Sequence, residues 1–141
     1  MAAAVTVSTI ILDLSNDIKR WECSFTASTT NAGGFTAATL TVNQKQELLG
    51  WYLFQVISIP GATNPTTSWD YTLKDDSSVD LLGGVGADRS ASAAELLIPK
   101  LDGTNYGDVP VDGGLTLAPV TNSVSGAIIV IHSYFRRVPG R

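Results

Sequence analysis

The chain has 141 residues, of which 16% are charged, and a formal net charge of -4. This length predicts one domain with a core large enough to need no cross-links. The acidic balance disfavours a nucleic-acid partner bound through phosphate neutralisation. No segment approaches the roughly 20 apolar residues that span a bilayer, and the first residues lack the basic region of a secretion signal. The single cysteine, Cys23, closes no internal disulfide and is typical of a protein made in a reducing cytoplasm.

The first half of the chain predicts strands joined by turns. After an initial strand within residues 1–15, "KRWECSFTA" (19–27) alternates apolar and polar residues, as a strand with one wet face does. "TNAGG" (30–34) is a turn signal, and the threonine-rich "FTAATLTV" (35–42) after it predicts the second strand of a hairpin. "NQKQELLG" (43–50) predicts a short helix that Asn43 caps with help from Gln46.

Two later segments are apolar on both faces. In "WYLFQVISI" (51–59), alternation places Leu53 and Ile57 on one face and Phe54 and Val56 on the other, and "AIIVIHSYF" (127–135) has the same character. A sandwich strand normally has one face exposed to water, so a strand that is apolar on both faces must be covered on both faces. Another subunit is one cover; a loop, the short helix or a central position in a closed barrel is the alternative. The predicted interface residues are Trp51, Tyr52, Phe54, Tyr134, Phe135, Arg136 and Arg137.

The second half contains an acidic, glycine-rich stretch whose residues predict a structural role rather than a metal-binding or phosphate-binding one. "SWDYTLKD" (68–75) predicts a strand, and the residues 75–78 predict a tight turn rather than a calcium loop, before a short strand "VDLL" (79–82). "GGVGADRS" (83–90) is no phosphate loop, because Ala87 and Asp88 stand where glycine and lysine are needed. "SASAAELLIPK" (90–100) predicts a short helix capped by Ser90 and ended before Pro99, and "LTLAPV" (115–120) predicts a late strand.

Together these elements predict an all-β fold. Seven to nine strands with one or two short helices are typical of an antiparallel β-sandwich or barrel, here jelly-roll-like, over residues 1–134. The segment 135–141, "FRRVPGR", is expected to be a basic C-terminal tail. Because residues 70–112 carry nine acidic and three basic side chains, the tail can steer assembly through opposite charge. A solvated chain end is the alternative.

No set of residues predicts a catalytic, cofactor-binding or metal site. His132, the sole histidine, lies in a strand with Ser133 on its other face, and Cys23 alternates with Trp21 on an apolar face. Trp21 and Trp69 are therefore expected in the core, and the protein is expected to be no enzyme. A carbohydrate-binding module is the competing class, in which Trp51 or Tyr106 stands exposed beside a shallow groove.

Two stretches of the second half resemble a known class of proteins. "YTLKDDSSVDLLGGVGADRSAS" (71–92) and "VDGGLTLAPVTNSVSGAIIVIHSY" (111–134) are similar to small virion proteins of tailed bacteriophages. The resemblance implies a structural role, with no catalytic residue and no cofactor to carry over. We expect a capsid decoration or cement protein, assembled in the host cytoplasm, whose partners are the major capsid protein and copies of itself, as a homotrimer. A neck, tail or baseplate protein is the alternative position.

Overall fold

A computed structural model describes residues 6–29, 33–100 and 105–138. Within these ranges the chain forms nine strands and one helix, which confirms the predicted all-β fold with a short helix. The elements are β1 (Thr6–Asp13), β2 (Ile18–Thr26), β3 (Ala38–Thr39), α1 (Val42–Leu48), β4 (Tyr52–Pro60), β5 (Asp70–Lys74), β6 (Glu95–Leu97), β7 (Val109–Pro110), β8 (Thr116–Val120) and β9 (Ile128–Arg136).

The strands form two antiparallel sheets. The larger sheet has the order β1-β2-β9-β4-β6, with β7 also beside β4, and the smaller sheet has the order β3-β8-β5. From β2 to β6 the chain changes sheet at every strand, and it changes sheet again from β7 to β8 and from β8 to β9. This strand order is that of a jelly roll, with β2-β9-β4-β6 facing β3-β8-β5, and the segment 80–89, hydrogen-bonded along β5, takes the place of the fourth strand of the smaller sheet. The described strands close no barrel, so the sandwich alternative is the correct one.

The core lies between the inner faces of the two sheets. Trp21, Trp69 and Cys23 are fully buried in it, as the sequence predicts. The Trp69 indole N–H donates to the carbonyl of Ser90 at 2.9 Å, and its ring stacks on Tyr71 with centroids 5.4 Å apart. Burial raises the pKa of the Cys23 thiol, which keeps it protonated and unreactive.

The aspartates of the acidic stretch accept hydrogen bonds from the backbone. Asp75 Oδ1 accepts from the N–H groups of Ser77 (2.9 Å) and Val79 (3.1 Å), which confirms the predicted turn. Asp80 Oδ1 accepts from Leu73 N–H at 3.1 Å, and its Oδ2 accepts from Gly84 N–H at 3.1 Å. The carboxylates therefore hold a loop in shape.

That loop covers the free edge of β5. The N–H of Tyr71 donates to the carbonyl of Gly86 at 3.0 Å, and the N–H of Arg89 donates to the carbonyl of Trp69 at 2.7 Å. A Cβ at position 86 would stand 2.0 Å from the Tyr71 carbonyl oxygen, so only glycine permits this approach. The predicted strand 79–82 is wrong, because this segment makes turns and a single bridge from Asp80 to Lys74.

Two predictions in the first half need correction. The helix begins after Thr41 rather than at Asn43, because Thr41 and Gln44 form the capping box. Thr41 Oγ1 accepts from Gln44 N–H at 3.1 Å, and Gln44 Oε1 accepts from Thr41 N–H at 3.0 Å. The predicted hairpin is also wrong: only Ala38–Thr39 is extended, and it pairs with β8, while β2 pairs with β1 and β9.

The predicted helix over 90–98 is a turn followed by a strand. Ser90 Oγ accepts from the N–H groups of Ser92 (3.2 Å) and Ala93 (3.0 Å), as a helix cap would, but the chain then becomes extended. Glu95 instead accepts from the Ser90 N–H at 2.6 Å, and β6 pairs with β4 so that Leu97 enters the core opposite Val56. Sheet pairing and burial override the local helix preference.

A bulge in β4 changes which residues share a face. The pairing with β9 shifts between Leu53 and Gln55, which leaves Phe54 as the extra residue. Beyond the bulge Val56 faces the core together with Leu53, whereas Ile57 faces outward. Simple alternation predicted the opposite grouping for Val56 and Ile57.

Strand β9 extends further than the sequence predicts. It runs through Arg136, so two residues of the expected basic tail, Phe135 and Arg136, belong to the sheet. Arg137 is also held, because its N–H donates to the carbonyl of Asp17 at 3.0 Å.

Candidate assembly surface

The outward side of the larger sheet, here called the outer face, is the candidate functional surface. Core residues and outward residues alternate along β9: Ile131, Ser133 and Phe135 are fully buried, whereas His132 and Tyr134 are partly exposed. Cross-strand pairing extends the outward row through His132 to Glu22 and Ile10 on one side and to Ile57 and Leu96 on the other.

Apolar side chains dominate both flanks of the outer face. Ile10 on β1 is 52% exposed and Leu96 on β6 is 55% exposed. Between them Ile57, Ile59 and Val130 are half-buried, and none of these residues belongs to the buried core. These apolar side chains cover one another only in part, so the outer face exposes apolar surface to solvent.

A polar cluster occupies the centre of the outer face. Arg20 forms an ion pair with Glu22, and Glu22 lies 3.7 Å from His132 Nε2. The Arg20 guanidinium also donates to the Tyr134 hydroxyl at 3.5 Å and lies 5.8 Å from the Tyr134 ring centroid. Burial lowers the pKa of His132, and the Glu22 charge only partly offsets this. With His132 neutral, the cluster carries one positive and one negative charge.

Aromatic residues lie at the end of the outer face where β4 begins and β9 ends. The Phe54 and Tyr134 rings are 6.3 Å apart, and the Arg136 guanidinium lies 4.5 Å from the Phe54 centroid. Arg136 also forms a two-pronged ion pair with Asp108, at 2.6 and 2.8 Å, which raises the pKa of Arg136. Tyr52 is the cross-strand partner of Arg136. Four predicted interface residues, Tyr52, Phe54, Tyr134 and Arg136, therefore lie on one surface.

Trp51 and Arg137 lie elsewhere, at the turn between β1 and β2. Lys19 Nζ is 5.0 Å and the Arg137 guanidinium 5.5 Å from the Trp51 ring centroid. Lys19 pairs with Asp13 at 3.1 Å, and Arg137 donates to the carbonyl of Asn16 at 3.0 Å. These residues line an open cavity of about 340 Å³. The two cations lie within reach of the Trp51 ring, which is also partly packed against the core.

Phe135 is the incorrect member of the predicted interface set. Its side chain is fully buried in the core, opposite Leu53 on β4, and so points away from the outer face. Tyr134 and Phe135 are adjacent in β9, so only one of them can face outward, whereas the prediction included both.

Sequence reasoning missed most of the outer face. Arg20 and Glu22 were predicted only as the wet side of a strand, and His132 only as structural. The alternation in each strand indicates that these residues face outward. The sequence does not indicate that β2 lies beside β9, because the paired residues are more than 100 positions apart and local patterns contain no information about such pairing.

Within the described ranges, no group of three or more His, Cys, Asp or Glu side chains could hold a metal ion. The described helix is also too short to cross a membrane. Comparison of the chain with protein-family models, with curated proteins and with solved structures finds no match.

Proposed function

We propose that the chain is a non-enzymatic structural protein of a bacteriophage virion, a capsid decoration or cement protein that joins shell subunits through its outer face. The observation that carries the assembly role is the exposed apolar flank of that face, with Ile10 and Leu96 each more than half exposed. Surfaces of this kind tend to be interaction sites. The major capsid protein and further copies of the chain are the proposed partners.

The composition of the outer face suits a surface that is buried on assembly. Its apolar flanks supply area, and its central Arg20–Glu22 pair is already neutralised within the chain. A partner therefore does not have to compensate a bare charge at the centre of the contact, which would cost free energy. Tyr134 and Phe54 add aromatic side chains, which are enriched at interface centres.

The virion role rests on the resemblance of residues 71–92 and 111–134 to small phage virion proteins. The jelly roll is compatible with it, since viral capsid domains use this fold. Lectin domains use it too, so the fold alone does not decide between assembly and sugar binding. The surface chemistry is the evidence that favours assembly.

Immunoelectron microscopy of particles purified from the source tests the proposal. Antibody against the chain should label the head shell at many evenly distributed positions. Label confined to the neck, tail or baseplate would favour the alternative position in the virion. Particles without any label would contradict the virion role.

A matched pair of variants tests whether the outer face makes the contact. Leu96→Lys places a charge on the outer face, whereas Val120→Lys places one on the smaller sheet at a site of similar exposure, 48% against 55%. Particles assembled without the chain are mixed with each purified variant and pelleted, and the bound copies are counted. We expect binding of Leu96→Lys to fall about tenfold or more, because an unpaired charge must then be buried. Equal binding by both variants would contradict the outer face as the contact.

Carbohydrate binding is retained as a second candidate because of one groove. Tyr106 is 62% exposed beside a groove of about 420 Å³, which Asp88, Arg89 and Ile98 also line. An aromatic ring next to charged hydrogen-bonding groups is a feature of sugar sites. Lys100 Nζ lies 5.2 Å from the ring centroid. Retardation of the purified chain in polysaccharide gels, lost in Tyr106→Ala, would establish this candidate, and unretarded migration would remove it.

A further inference from the structure

The four sheet edges of this molecule differ in how they are protected. On the smaller sheet, β3 has two residues, and the segment 80–89 covers β5. On the larger sheet, the edge beyond β4 consists of the short strands β6 and β7, with Pro99 two residues past β6 and Pro110 within β7. Short strands and proline are the usual devices against pairing with another chain.

The remaining edge, β1, lacks these devices. It runs eight residues as "TVSTIILD", with no proline and no lysine, and its pairing with β2 continues without irregularity from Thr6 to Asp13. Within the described parts of the chain, β1 pairs with β2 alone. Gln44 of α1 donates to the Thr9 hydroxyl at 3.2 Å, a side-chain contact that leaves the far backbone edge of β1 unpaired by described residues. A long, unprotected edge is a template for a further strand.

We infer that β1 pairs antiparallel with β1 of a second copy, so that the two larger sheets become one continuous sheet. This extends the proposed function by naming a self-association surface, and it does not depend on a place in a virion. The pairing is two-fold and isologous, because the same edge serves both copies.

The residues of β1 complement themselves in this arrangement. Centred on Ile10, the pairing places Thr9 opposite Ile11, Ser8 opposite Leu12 and Val7 opposite Asp13. The central Ile10–Ile10 and Thr9–Ile11 pairs join β-branched side chains, which are good cross-strand neighbours. Asp13 is the only charge on β1, and antiparallel pairing keeps the two Asp13 carboxylates about 20 Å apart at 3.4 Å per residue. Parallel pairing would set them side by side.

The exposure of Ile10 also favours a pairing of the two β1 strands that is centred on this residue. Ile10 is 52% exposed and lies beside the free edge, on the outer face. Pairing brings the Ile10 side chains of the two copies to about 5 Å between Cβ atoms. The apolar flank of one outer face then continues into that of the second copy, which doubles the surface available to a larger partner.

Sedimentation velocity of the purified full chain tests the inference, with Ile10→Lys as the disrupting variant. Lysine on an edge strand opposes pairing, and in a two-fold contact it meets its own copy. Val120→Lys is the matched control, because Val120 is of similar exposure and lies on the smaller sheet, outside the outer face and away from β1. We expect a dimer for the wild type and for Val120→Lys, and a dissociation constant raised about a hundredfold for Ile10→Lys.

A second experiment tests the edge pairing if the Ile10→Lys variant fails to fold. In Ile10→Cys, two thiols meet across the two-fold axis and should form an intermolecular disulfide on mild oxidation, whereas Val120→Cys on the smaller sheet should not. The native Cys23 is buried and does not compete. A monomeric wild type, a dimer insensitive to Ile10→Lys, or equal loss in both lysine variants would overturn the edge pairing.

The outcome also separates this inference from the proposed function. A trimer, as the virion resemblance implies, would overturn two-fold pairing through β1 and leave the virion role standing. A dimer that fails to label any particle would support the edge pairing and contradict the virion role. A monomer that captures only an extended segment of another protein would likewise overturn pairing between copies.

Discussion

The outward sides of the two sheets are chemically different. On the smaller sheet the outward residues are mostly polar: Thr72 on β5, Thr116 on β8 and Thr39 on β3, with Asp70 and Lys74 at the ends of β5. Thr39 and Thr116 lie with their hydroxyls 3.5 Å apart. On the larger sheet the outer face carries isoleucine, valine, leucine and aromatic side chains around the central Arg20–Glu22 ion pair, with the Arg136–Asp108 pair at one end.

This difference separates what folding requires from what assembly requires. One apolar face per sheet is enough to make the core of a sandwich, and the smaller sheet has only that. The second apolar face of the larger sheet adds nothing to the core, since Ile57, Ile59 and Val130 lie outside it. Folding alone does not require this second apolar face, whereas the proposed burial against another polypeptide would account for it.

The largest expected effect separates the two faces of β9. Phe135→Ala should lower the free energy of unfolding by about 3–5 kcal/mol, because it leaves a cavity in the core. Tyr134→Ala, one residue away on the outer face, should lower it by about 1 kcal/mol. Urea unfolding of the isolated chain measures both. Losses of equal size would mean that the outer face is already covered by the chain itself.

A smaller effect of opposite sign is expected at Ser133. Its hydroxyl is fully buried on the inner face and has no hydrogen-bond partner among the described residues. Ser133→Ala should therefore raise the free energy of unfolding by about 1 kcal/mol, since a desolvated polar group is removed. Ser24→Ala, on the exposed side of β2, is the control and should change little. Destabilisation by Ser133→Ala would show that the hydroxyl has a partner in solution.

The smallest effect concerns pH and the centre of the outer face. Burial lowers the pKa of His132 below its usual value near 6.5, despite Glu22, and Arg20 adds to the lowering. Above that value the imidazole is neutral in both the folded and the unfolded chain. As pH falls below about 6.5, the unfolded chain binds a proton that folded His132 resists, so stability decreases.

The measurement is the unfolding free energy from about pH 8 to about pH 5, the range in which histidine titrates. The wild type should lose more stability toward acid than His132→Gln, which keeps a polar side chain and lacks this titration. Identical slopes would mean that His132 is as free to protonate in the folded protein as in the unfolded one.

The strands that alternate cleanly could be predicted from the sequence. Trp21 and Trp69 belong to the core as expected, because a period of two fixes the inward side of an isolated regular strand. The turn at Asp75 was predictable as well, since its carboxylate bonds backbone groups two and four residues ahead.

The errors arose where distant contacts decide local structure. Residues 90–98 carry a cap-like serine, yet their pairing with β4 makes a strand of Glu95–Leu97. The bulge at Phe54 reverses the alternation of inward and outward residues in β4, and no residue type in that strand indicates that a bulge occurs there. The candidate surface depends on the same kind of information, because Arg20 reaches Tyr134 only through the pairing of β2 with β9.

Site-specific photo-crosslinking in assembled particles tests the central claim most directly. A photoreactive amino acid is placed at position 96 on the outer face or at position 120 on the smaller sheet, two sites of similar exposure. The account predicts a crosslink to another polypeptide from position 96 and none from position 120. Crosslinks from position 120 alone, or from neither position, would contradict the claim that the outer face is where this protein meets its partners.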